Sequence, residues 1–266
     1  MLYSLRLYLL IKKFGGEEMD LIQVILFAIV VMCAYFIEGL IGFGGTIMAL
    51  PIASAIAGLK ITVPVMTIVV LIASVVIAIR DFKYIDKKEF IKITSLMVLG
   101  LPIGMWLFSS LPERPLKIAL GIFMIIVAIK GLYDSRKKVE EKEDKAKSKY
   151  IEIIHNIVLF LGGIVHGAFT CGGPFVVVYA TANIKDKSSF RATLCALWAT
   201  LNAIMLSINI FRGEITSGIV GMSLITMVFV IIAIVVSNIV HKKIKGDSFT
   251  KFVYVALFIS GILMMM

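Results

Sequence analysis

The chain is built from long apolar runs of about twenty residues, separated by short stretches that carry nearly all of its charge. Crossing roughly 30 Å of hydrocarbon takes about 20 residues of α-helix, and the runs at 61–79, 93–111, 116–132, 194–211, 215–240 and 252–266 approach or reach that length. They are continuous rather than alternating, so helices and not barrel strands are expected. With 60% hydrophobic and 17% charged residues, the chain departs in both respects from a water-soluble domain, which has roughly 45–50% apolar and about 25% charged residues. These figures exclude a soluble globular protein, a disordered chain and a disulfide-stapled module. Cys33, Cys171 and Cys195 all lie within apolar runs and form neither a disulfide framework nor a metal-binding spacing. No cofactor is implied.

The net charge of +10 would suggest nucleic acid in a soluble protein. Here the Lys and Arg sit in loops between apolar runs, which is the pattern of cytoplasmic loops, so no nucleic-acid partner is expected. Four runs are basic: Arg80 to Lys88, the linker at 134–149, Lys185 to Arg191, and Lys242 to Lys251.

Two apolar regions are too long for one span. The region 21–58 is broken at Gly42-Phe43-Gly44-Gly45, and 153–184 at Thr170-Cys171-Gly172-Gly173-Pro174. Each reads as a helix, an unwound break and a short returning helix, at about 46–57 and 174–183. All four basic runs share the cytoplasmic side only if each broken region is a hairpin returning to the side it entered from. One broken span per region would instead put the basic loops on conflicting sides. Each half then has one hairpin and three spans, an odd number of crossings, so the halves have opposite topology.

The expected fold is therefore an all-α integral membrane protein of two inverted repeats, each a broken helical hairpin plus about three transmembrane helices. The repeats fall at 19–133 and 151–266, joined by a charged cytoplasmic linker at 134–150. A spacing of 128 residues sets Gly44-Gly45 against Gly172-Gly173 and Glu38 against His166. Residues 1–18 are expected to precede the true start at Met19, because Gly15-Gly16-Glu17-Glu18 is what a ribosome-binding site would spell if translated.

Inverted repeats with broken helices are the mark of secondary transporters. A half-helix beginning at Gly45 or Gly173 presents unpaired N–H groups and the positive end of its dipole, so two such ends near the midplane would bind an anion. Gly42, Gly44, Gly45, Thr46, Thr170, Cys171, Gly172 and Gly173 are the candidate substrate contacts. The alternative is that these glycines only allow close helix packing. Ionisable groups inside a span are costly and functional by default, which makes Glu38 and His166 candidate proton carriers. Equally, Glu38 can cap the broken backbone, and His166 can be a packing residue. Arg191 is either a cytoplasmic anchor or a guard at the mouth of an anion path. Asn202 shares a helix face with Asn209 and serves interhelical hydrogen bonding or substrate contact.

At these residues the chain resembles the sulfite exporter TauE/SafE family, also described as the sulfonate uptake permeases. The likeness lies in Glu38-Gly39-Leu40-Ile41-Gly42-Phe43-Gly44-Gly45 with Pro51, in Gly167-Ala168-Phe169-Thr170-Cys171-Gly172-Gly173-Pro174 with Tyr179, and in Phe190-Arg191-Ala192-Thr193. Two positions depart from the family pattern: Thr46 stands where another glycine is frequent, and Cys171 where a small residue is common. The resemblance implies secondary transport of small sulfur-containing anions, sulfite or organosulfonate, driven by the proton gradient, in a prokaryotic inner or plasma membrane. A passive anion channel is the alternative from the same pore elements. An intramembrane enzyme would need a nucleophile with a base, or a metal cluster, and neither pattern is present in the sequence, so no enzymatic activity is expected.

Overall fold

A computed structural model describes residues 20–41, 44–134 and 149–241, and beyond them 254–255, 258–259, 261–262 and 264–265. The proposed start at Met19, most of the 134–150 linker, Gly42, the basic run from Lys242 to Lys251 and most of the expected span at 252–266 lie outside the described residues. Among the described residues every regular element is helical: α1 (Leu21–Ile41), α2 (Gly45–Ala57), α3 (Leu59–Arg80), a 3-10 turn (Phe82–Tyr84), α4 (Lys87–Ser110), α5 (Glu113–Asp134), α6 (Lys149–Phe169), α7 (Gly173–Asn183), α8 (Lys187–Phe211) and α9 (Ser217–His241). Seven of these are long and apolar enough to cross a membrane, namely α1, α3, α4, α5, α6, α8 and α9. The helices α2 and α7, at 13 and 11 residues, reach about 20 and 16 Å and fall short of the hydrocarbon thickness. Large apolar side chains such as Leu99 and Trp106 face outward at 65% and 61% exposure, which suits lipid and not water.

The helices gather into two compact units that each draw on both halves of the chain. One comprises the chain up to Ile85 and Arg191–Lys243, the other Asp86–Phe190 and Ile244–Met266. In the first unit, α1 turns an apolar stripe of Val24, Phe27, Val31 and Ala34 to its neighbours, at the three- and four-residue spacing of one helix face. That stripe packs with Ala49 and Ala53 of α2, Val65, Met66 and Val69 of α3, and Met222, Val230 and Ala233 of α9. The helix α2 folds back on α1, since Tyr35 meets Thr46 and Glu38 meets Gly45.

The second unit is organised by backbone contact between α4 and α6. Gly100 and Gly104 on α4, and Gly163 and Gly167 on α6, are two small-xxx-small pairs facing one another. A Cβ at Gly100 would collide with the Phe160 carbonyl and come to 2.8 Å from the Ile164 nitrogen; at Gly104 it would collide with the Ile164 carbonyl and come to 2.8 Å from the Ala168 nitrogen. From the other side, Gly163 abuts Met97 and Gly167 abuts Leu101. Contacts advance together along both helices, from Lys92 with Glu152 to Gly104 with Ala168, so α4 and α6 run parallel.

The helix α7 runs the opposite way. Gly172 lies at Gly162 and His166, whereas Tyr179 lies at His155 and Glu89. The second broken region is therefore a hairpin that returns to the end where α4 and α6 begin. Within this unit, the start of α4 with Lys87 and Lys88, the start of α6 and the end of α7 with Lys185 lie at that same end.

Substitution at the glycine seam should be costly in a way that a lipid-facing change is not. Gly104→Leu is expected to destabilise the detergent-purified protein by about 1–3 kcal/mol or more, the range for overpacking. Leu99→Phe, at an outward position of the same helix, should stay within about 0.5 kcal/mol of the parent. Thermal unfolding followed by tryptophan fluorescence would measure both.

Candidate functional site

The helix α2 is preceded by Gly44, whose φ of 97° lies in the left-handed region, where glycine carries no Cβ penalty. The helix then begins at Gly45. Its first N–H donates to Glu38 Oε2 at 2.6 Å, so the carboxylate of α1 lies on the positive end of α2. A Cβ on Gly45 would collide with that same oxygen, so a larger residue here would displace the carboxylate from the position it holds. Beside it the Tyr35 hydroxyl and Thr46 Oγ1 lie 3.4 Å apart. Four of the candidate residues, Glu38, Gly44, Gly45 and Thr46, are thus brought together at one helix terminus.

The second hairpin builds its tip differently. Helix α6 ends as Thr170 takes φ 57°, the one positive φ at a non-glycine among the described residues. A β-branched residue there is strained. Its N–H still donates to the His166 carbonyl at 2.7 Å. The Gly172 N–H points to His166 Nδ1 at 3.4 Å, and Pro174 occupies the first turn of α7, where no N–H is needed. Cys171 and His166 are buried at 4% and 1% exposure. A Cβ at Gly172 would collide with the Gly162 carbonyl and come to 2.9 Å from the His166 Cβ. The residues paired by the 128-residue spacing do corresponding work: each of Glu38 and His166 turns its side chain to a backbone N–H at the start of a returning half-helix. One is an acid and the other an imidazole.

Arg191 lies in the second turn of α8, because that helix begins at Lys187, earlier than the apolar run at 194 suggests. Its Nη2 pairs with Asp81 Oδ2 at 3.0 Å, and Asp81 is held in turn by Arg80 Nε at 3.0 Å. The guanidinium is therefore restrained by a carboxylate that the sequence reading did not single out. One turn on, Cys195 lies within electrostatic range of Glu38, Arg80 and Asp81, all in the first unit. Asn202 is fully buried. Its Nδ2 donates to the Trp198 carbonyl at 2.8 Å, while Oδ1 has no partner among the described residues. No group of three or more His, Cys, Asp or Glu that could hold a metal ion occurs among the described residues.

The family description that matches the chain is that of the sulfite exporter TauE/SafE, over residues 26–264. No curated protein and no solved structure matches it. The matched region begins within α1 and takes in the glycine seam, both short returning helices and, among the described residues, the other six membrane-length helices. The chain is a multi-pass protein of the cell membrane and belongs to the sulfite exporter TauE/SafE family of membrane transporters.

Proposed function

We propose that the protein is a secondary transporter of small sulfur-containing anions, sulfite or an organosulfonate, coupled to protons and working by alternating access of two inverted repeats, 19–133 and 151–266. The observation that carries this reading is the Glu38 carboxylate on the Gly45 N–H. An oxyanion already occupies the α2 terminus, which supports the chemistry of a helix end built for oxyanions. A sulfite or sulfonate oxygen would take the same N–H group, with Thr46 beside it and Gly42 and Gly44 allowing close approach. Thr170, Cys171, Gly172 and Gly173 would line the corresponding turn of the second hairpin.

The exchange explains coupling without a second ion site. While Glu38 is ionised it holds the terminus against other anions. A proton arriving on its carboxyl cancels the charge, weakens the bond to Gly45 and lets the substrate anion in, so proton and anion are carried together. His166, at the equivalent position, would be the second proton carrier. Arg191 would meet the anion at the basic-loop end by exchanging its Asp81 partner for substrate, and Asn202 would offer a further polar contact along α8.

Proteoliposomes with an imposed pH gradient, acidic outside, test this with sulfite, sulfate, thiosulfate, sulfoacetate and acetate assayed chemically. A sulfur anion should accumulate above its external concentration and stop doing so when the gradient is dissipated. Downhill equilibration alone would identify a channel. Gly45→Ala, which places a Cβ against the Glu38 carboxylate, should lower the initial rate by about tenfold or more, the factor carried by roughly 1.4 kcal/mol, with membrane insertion intact. Gly173→Leu should likewise abolish transport. Glu38→Gln should flatten the dependence of the rate on external pH; an unchanged profile removes Glu38 from proton coupling.

A further inference from the structure

At the other end of the second hairpin, away from its tip, lies a cluster that the transport reading does not use. Tyr179 on α7 is among the largest fully buried side chains of the molecule, at 2% exposure. Its hydroxyl donates to Glu89 Oε2 at 2.6 Å, and Glu89 stands in the first turn of α4. The edge of the His155 ring on α6 meets the tyrosine ring at a centroid distance of 5.3 Å and an angle of 84°. The Lys92 ammonium lies 5.5 Å from the same centroid and pairs with Glu152 of α6 at 3.2 Å. One tyrosine thus joins three helices, and α4 and α6 each supply it with an acidic and a basic neighbour. Asp86, which caps α4 through the N–H groups of Lys88 and Glu89, is a further acid within electrostatic range.

The cluster lies where positional control of α7 is needed. The helix is only 11 residues long. Its N-terminal end is joined to α6 by the turn at 170–172, and Phe175, just inside that end, stacks on Phe123 of α5 at 5.2 Å. An apolar helix among apolar neighbours in lipid gains little from the hydrophobic effect, so packing and hydrogen bonds decide where it rests. At the far end the O–H···O contact to Glu89 has the length of a charge-assisted bond.

We infer that the Tyr179–Glu89 pair is a latch that positions the second half-helix. With the bond made, α7 lies along α4 and α6 and the hairpin tip, with Cys171 buried in it, is closed; with the bond broken, α7 tilts about the Phe175–Phe123 stack and the tip opens. Tyr179 and Glu89 are positioning residues acting through α7. The latch deepens the transport reading by naming how one hairpin is held, yet its test needs neither substrate nor gradient, so either can fail without the other.

Cys171 is a natural reporter of the tip. In protein carrying Cys33→Ser and Cys195→Ser it is the sole thiol, and its reaction with N-ethylmaleimide can be timed by intact mass in detergent. Tyr179→Phe removes one oxygen, and Glu89→Ala breaks the same bond from the other side. Each should speed labelling about tenfold, the scale of a hydrogen bond to a charged group. Glu89→Gln keeps a neutral acceptor on the same stem and should label at a rate between the parent's and that of Glu89→Ala. Samples are compared only where the size-exclusion profile matches the parent, and if Tyr179→Phe does not fold, Glu89→Ala against Glu89→Gln decides. Parental labelling rates in the bond-breaking variants overturn the latch. So does a Glu89→Gln rate equal to that of Glu89→Ala.

Discussion

Hydrocarbon has no water to satisfy a peptide group, so each place where a membrane helix stops must find partners for its own N–H and C=O groups. Two breaks in this chain face that demand, and each answers it with a side chain from the preceding helix. At the first, the acid Glu38 reaches the Gly45 N–H; at the second, the imidazole of His166 faces the Gly172 N–H. The breaks are consequently unequal. One terminus holds a carboxylate, which repels anions when ionised, and the other presents an imidazole at the Gly172 N–H. In a transporter of anions that difference separates the two hairpins by charge although the chain builds them alike.

The second constraint is backbone proximity. The α4–α6 seam has glycine on both sides, and the two helices approach until either Cβ would touch the other's main chain. Lipid gives two apolar helices little reason to associate, so close van der Waals contact of this sort supplies the cohesion. The same seam makes α4 and α6 parallel. Against this pair α7 runs as a returning arm, and Tyr179 comes to lie at the level of Glu89 and His155.

Much of this was legible in the residues. Apolar run length identified the spans that lie among the described residues, because hydrocarbon thickness translates directly into helix length. The glycine clusters located both returning helices to within one residue, at Gly45 and Gly173, since a helix cannot continue through such a stretch without another source of hydrogen bonds. The 128-residue spacing paired Glu38 with His166, which perform corresponding capping roles. The small-xxx-small pairs at 100/104 and 163/167 were equally visible as a pattern, but nothing in one sequence says which two glycine faces will meet.

Pairings across long separations lay beyond the sequence. Glu89 and Tyr179 are 90 residues apart and Asp81 and Arg191 are 110 apart; either acid could have been read as one more charge in a solvated loop. Local chemistry decides where helices start, stop and break, because those events depend on hydrogen bonds within a few residues. Which acid reaches which tyrosine or arginine depends on how finished helices pack, and on the assembly of two units that each combine segments from both halves of the chain. The membrane class, the spans among the described residues and the starts of the two short returning helices were thus determined by the sequence alone. The cap on α2, the restraint on Arg191 and the tyrosine latch were decided only by tertiary structure, where side chains distant in the chain become neighbours.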